Sequence, residues 1–126
     1  MPQKGPRIIY TSPHVPAEWI EAHGCVPCRI TPKTGINNSH LGMGVCPYAA
    51  AVIRSMSQYP DAEGIVLTTS CDQMRRQAEL LAKLTKRPVF LLHVPTAVEA
   101  PTALPLYREE ILRLGRFLEM CGGNAP

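Results

Sequence analysis

The chain has 126 residues, 45% hydrophobic and 18% charged, with a formal net charge of +3; this fits one folded domain around one core and excludes a disordered chain. Its Lys and Arg residues are scattered without a basic run, which sets nucleic-acid binding aside, and no stretch approaches the roughly 18 apolar residues of a membrane span. Met1 to Pro6 has no apolar run behind its charge, so no signal peptide is expected and a cytoplasmic location is the default, with the five cysteines, an odd number, read as reduced thiols.

Arg7 to Tyr10 is a short apolar run and the first predicted strand. Thr11 to Val15 leaves it as a loop, and Pro16 suits the first position of a helix over Ala17 to His23, which Gly24 ends. Val26 to Thr31 is the second strand. Pro32 to Val45 is polar and rich in glycine, and a loop of that length in a small domain is usually functional. Cys46-Pro47 opens a second helix running to about Gln58, with Ala50, Ile53 and Met56 at helical spacing.

The third strand is Gly64 to Thr69, apolar and β-branched, and the third helix is Asp72 to Thr85, with Met74, Ala78, Leu81 and Leu84 on one face. Val89 to Val94 is the fourth strand, apolar almost throughout as a strand buried on both faces should be. Pro95 to Pro105 is a proline-rich loop, and Leu106 to Met120 the last helix, with Tyr107, Ile111, Leu114 and Leu118 on one face and Gly122-Gly123 beyond its end. Strands alternate with helices throughout. The expectation is a single α/β domain over residues 1–126, Rossmann-like or flavodoxin-like, with a four-stranded parallel sheet and helices on both faces.

Topology then sorts the residues that carry chemistry. In an open parallel sheet the loops after the strands share one edge, where ligands bind. His14 follows strand one, Cys46 ends the long loop after strand two, Cys71 follows strand three and His93 ends strand four. Cys71 also stands at the turn into a helix, whose positive end favours the thiolate that metal binding needs. Cys25 precedes its strand and belongs to the opposite edge, roughly 16 Å away at about 3.3 Å per residue. Cys121, after a returning helix, is expected at that lower edge too, and Cys28 in mid-strand is expected to face the core. The Cys25-Val26-Pro27-Cys28 spacing therefore enters a strand, whereas a redox or zinc C-x-x-C sits at a turn or helix start. His14 and His93 also have a plain reading as loop and strand-end residues, Asp72 as an early-helix acid, and Arg75 and Arg76 as solvated charges. If the loops converge, His14, Cys46, Cys71 and His93 form a two-cysteine, two-histidine zinc set.

The segment Tyr10 to Gly24, the Val45-Cys46-Pro47-Tyr48-Ala49 run, the Thr68 to Arg76 run with its Ser70-Cys71-Asp72 core, and Phe90 to Pro95 together resemble the 2-hydroxyacyl-CoA dehydratase D-component family, which also holds benzoyl-CoA reductase subunits and double-cubane cluster proteins. Arg29, ending the second strand, fits the pattern; His93 departs from it, an asparagine being more usual there. The resemblance runs from about Ile8 to Glu119 and covers what in the family is the first domain. It implies that Cys46 and Cys71 bind an iron–sulfur cluster and serve low-potential electron transfer; family members pass such electrons to acyl-CoA thioesters, fed by an ATP-driven activator protein. Family subunits are longer, with a third cluster cysteine in a second α/β domain, so acyl-CoA chemistry would call on a larger partner subunit. A [4Fe–4S] cube normally takes four thiolates. A two-fold homodimer giving Cys46 and Cys71 from each chain would supply them; Cys28 or a partner protein is the other source.

Overall fold

In the computed structural model the described residues are 5–31, 55, 58–59, 61–69, 78, 81, 83, 87–94 and 101–126. They form strands β1 (Arg7–Tyr10), β2 (Val26–Arg29), β3 (Gly64–Thr68) and β4 (Val89–Leu92), with helices α1 (Ala17–Ala22) and α2 (Ala103–Met120). The strands make one four-stranded sheet in the order β2-β1-β3-β4, every neighbouring pair parallel. This is the α/β domain that the alternation of strands and helices predicts. The chain starts in the middle of the sheet and winds out first to one side, then to the other. The direction reverses between β1 and β3, the switch point where ligands of such sheets bind.

Alternation along each strand sends side chains into two layers. Ile8 and Tyr10 of β1, Val66 of β3, and Phe90 and Leu92 of β4 share one cluster with Ile20 of α1 and Leu114, Phe117 and Leu118 of α2. Ile9, Ile65 and Leu67 point the other way and pack with Ile30, Ala62, Ala78 and Leu81. Of the helix predicted over Asp72 to Thr85, Ala78, Leu81 and Lys83 are described and helical, so helical residues cover both faces. Of the helix predicted from Cys46, Ser55 is described and helical, and Gln58 lies in the turn that follows.

The helices meet through a small polar contact. The Trp19 indole donates to the Ile111 carbonyl at 2.9 Å, and His23, 2% exposed, hydrogen-bonds the Trp19 carbonyl through Nδ1 at 2.8 Å. Gly115 lets α2 come this close, since a Cβ there would stand 2.9 Å from His23 Nε2. Both helices end in the same way. In α1 the Gly24 and Cys25 amides donate back to the Glu21 and Ile20 carbonyls; in α2 the Gly122 and Gly123 amides donate to those of Glu119 and Leu118. That is the paired-bond glycine cap, which needs left-handed backbone at Gly24 (φ 75°) and Gly122 (φ 110°).

The element bounds differ from the sequence reading in informative places. Pro16 is the cap before α1, not its first residue, and its carbonyl accepts from the Trp19 and Ile20 amides. Helix α2 starts at Ala103 rather than Leu106, so Pro105 lies in its first turn, where a missing N–H breaks no helical bond. The first α2 bond runs from the Leu106 amide to the Thr102 carbonyl. Strands β2 and β3 end at Arg29 and Thr68 rather than at Thr31 and Thr69, and β4 at Leu92 rather than at Val94.

Candidate functional site

The upper edge of the sheet is built from the exits of β1, β3 and β4, with the end of β2 beside them. At the β1 exit the backbone folds over at once. The Val15 amide donates to the Ser12 carbonyl at 3.3 Å and the His14 amide to Ser12 Oγ at 3.2 Å. Val15 is drawn into the first core cluster, which leaves His14 exposed above it. Arg29, at the end of β2, donates through Nε to the Thr11 carbonyl at 3.3 Å and so ties β2 to that exit. The same guanidinium opposes the burial that raises the Tyr10 phenol above its ordinary range. Arg29 thereby braces the loop that holds His14.

At the β4 exit the ladder stops after the Thr69 amide has donated to the Leu92 carbonyl at 3.0 Å. The next two amides go to side chains. The His93 amide donates to Glu110 Oε1 at 2.8 Å and the Val94 amide to Thr69 Oγ1 at 3.1 Å. Glu110 is only 9% exposed although it carries a carboxylate, and Arg113 donates to its second oxygen. The Arg113 guanidinium in turn lies 5.1 Å from the centre of the Phe90 ring. His93 is exposed at the upper edge, as His14 is. The exits of β1 and β4 that carry them flank that of β3, two strand spacings or about 10 Å apart.

The lower edge collects two of the other thiols. Cys25 is buried in the first cluster, which pushes its thiol up, and its Sγ makes only long contacts of 3.9 Å to the His23 and Leu118 carbonyls. The Cys121 thiol is pushed up to about 11, first by burial and then by the nearby Cys25 and Glu63. Cys28, on β2, packs partly buried against the second cluster, and all three are free thiols. Thiols held protonated inside a core are poor metal ligands and poor nucleophiles.

Among the sequence-predicted site residues, the structure brings His14 and His93 to the upper edge and keeps Cys25 and Cys121 at the lower one. Cys46 and Cys71 lie outside the described residues. Among the described residues no three of His, Cys, Asp and Glu gather as a metal-holding group. The sequence reading missed Glu110, Thr69 and Arg113. A signal for Glu110 exists: it falls on the helical stripe of Tyr107, Ile111, Leu114 and Leu118, where a charge is out of place. Also among the described residues, no helix is long and apolar enough to cross a membrane.

The family model of the 2-hydroxyglutaryl-CoA dehydratase D-component matches residues 13–125. None of the curated proteins searched matches the chain.

Proposed function

Because the chain belongs to the family of the 2-hydroxyglutaryl-CoA dehydratase D-component, we propose that it binds an iron–sulfur cluster through Cys46 and Cys71 and serves low-potential electron transfer. The observation that supports this reading is that the three described thiols are packed away from the upper edge or against the core. Cys25 and Cys121 are buried at the lower edge with their protons held, and Cys28 packs against a core layer. In sequence Cys71 comes two residues after Thr69, the residue that follows β3, and Cys46 falls between β2 and β3.

The donor set fits half of a four-iron cube, since such a cube normally takes four thiolates. Two copies of the chain related by a two-fold axis would complete it at a shared interface, each offering the same patch. A bound cluster supplies a one-electron carrier. This chain's own residues would hold it at the upper edge, with Arg29 bracing the β1 exit and the Thr69 and Glu110 side chains bracing that of β4.

A D-component is by its name one part of a dehydratase system, so a larger partner subunit is the second reading, with catalysis on an acyl-CoA arising only in the complex and an activator protein supplying the electron. A third reading takes the exposed His14 and His93 with Cys46 and Cys71 as a zinc site.

One experiment separates these readings: iron, acid-labile sulfide and zinc per chain in anaerobically purified protein, together with its mass in solution. About two iron and two sulfide per chain in a dimer is the expected result. About four iron per chain would mean a cube in each copy and sink the shared site. Zinc without iron would replace the reading with the third. No metal after anaerobic reconstitution would overturn metal binding by the isolated chain, and acyl-CoA turnover on adding a partner subunit would favour the second.

A further inference from the structure

Glu110 is an unusual way to satisfy one backbone amide. The His93 N–H stands at the sheet's upper edge beside an exposed side chain, where water could serve it. Instead it is served by a carboxylate that is 9% exposed, and burying a charge is expensive unless it is paired. The pairing is built in, through Arg113 and its seat over Phe90. One residue on, the Val94 amide is taken by Thr69 Oγ1. Side-chain oxygens thus clasp two successive amides of the β4 exit, one from α2 and one from the end of β3.

We propose that Glu110 and Thr69 are positioning residues for the upper-edge site. Their clasp fixes the backbone from which His93 is presented, and it fixes Thr69, from which the chain continues through Ser70 to Cys71. The inference rests on the reading of Cys71 as a metal ligand. Groups that hold ligands in place from outside the coordination shell set metal affinity, and losing one costs roughly 10- to 100-fold. Thr69 and Glu110 would act in this way from outside the shell, through the backbone of the β4 exit and of Thr69. The β4 exit can then adjust to a cluster only as far as the clasp allows.

The test compares full-length wild type with Thr69→Val, which keeps the β-branched shape and removes the acceptor, and with Thr69→Ser, which keeps it. Two quantities are read: the rate of iron loss to a chelator from the reconstituted protein, and the iodoacetamide labelling rate of Cys71 relative to Cys25 in iron-free protein. Thr69→Val is expected to lose iron about tenfold faster and to change the labelling of Cys71 but not of Cys25, with Thr69→Ser restoring both. A merely structural role would move Cys25 and Cys71 together, which would overturn the proposal, as would a Thr69→Val protein that matches wild type in both readings. If wild type takes up no iron, the ligand reading fails, and unchanged Cys71 labelling would then sink the clasp as well. Should Thr69→Val fold poorly, Thr69→Ala supplies the same comparison, because it also removes the oxygen that accepts from the Val94 amide.

Discussion

At the lower edge of the sheet α1 and α2 each end in a glycine turn whose amides close on the helix's own carbonyls, and Cys25 and Cys121 there sit inside the core. At the upper edge the strand exits are closed by side chains instead: Arg29 on the Thr11 carbonyl, Thr69 on the Val94 amide and Glu110 on that of His93. The first arrangement is local, with its turns closed by backbone alone and its thiols buried. The second draws on partners far away in sequence and leaves His14 and His93 facing water. The difference teaches how a small domain divides its work. Backbone self-closure suits an edge that has only to be stable, while side-chain closure leaves an edge whose loops can differ between relatives without disturbing the sheet.

The largest expected difference between the edges is in metal. Cys71→Ser should abolish iron–sulfur absorbance after reconstitution, while Cys25→Ser and Cys121→Ser should keep it; a Cys71→Ser protein with full iron content would erase the contrast. In stability the contrast runs the other way. Gly64, at the start of β3, faces Cys121 Sγ, and a Cβ there would stand 2.7 Å from the sulfur and 3.1 Å from Ile8 Cδ1. Gly64→Ala should therefore cost about 1–3 kcal/mol in chemical denaturation with iron uptake preserved.

Alkaline pH sharpens the comparison further. Cys121 has its pKa raised from 9.0 to about 11, so the folded chain keeps a proton that the unfolded chain has already released. Its contribution to stability is complete below pH 9.0 and is lost as the pH rises through about 11. Unfolding midpoints of wild type should fall across that window more steeply than those of Cys121→Ala; parallel curves would remove the buried thiol from the account. The smallest effect belongs to the Arg7–Asp61 ion pair, 2.8 Å long but with side chains 45% and 61% exposed. Asp61→Asn should change stability by less than about 1 kcal/mol, and less still in high salt.

Much of the frame was legible in the sequence, because it depends on local patterns. Short apolar runs at Ile65-Val66-Leu67 and Phe90-Leu91-Leu92 have one buried use, and Gly24 has one conformational use. What was not legible depends on partners distant in sequence. Strand β4 stops at Leu92 because Glu110 and Thr69, 17 and 25 residues from the amides they take, replace the next rungs of the ladder. Proline punctuates, so the sequence puts Pro105 at the end of a loop, yet in a first helical turn it breaks nothing. Of the site, the edge that His14 and His93 share followed from topology alone, whereas the buried carboxylate of α2 was hidden among its apolar neighbours.

The turn that closes α2 also sets where attachments can go. Asn124 donates its amide to the His23 carbonyl at 2.7 Å, and Gly122 lies against Pro6, whose carbonyl accepts from the Val26 amide at 2.8 Å. The first and last described stretches therefore run side by side beneath the sheet. A fluorophore attached beside Asn124 sits on that side, about 16 Å from the upper edge along a five-residue strand. That side is thus open to labelling or surface immobilisation while the opposite side stays clear to meet a second copy or a partner.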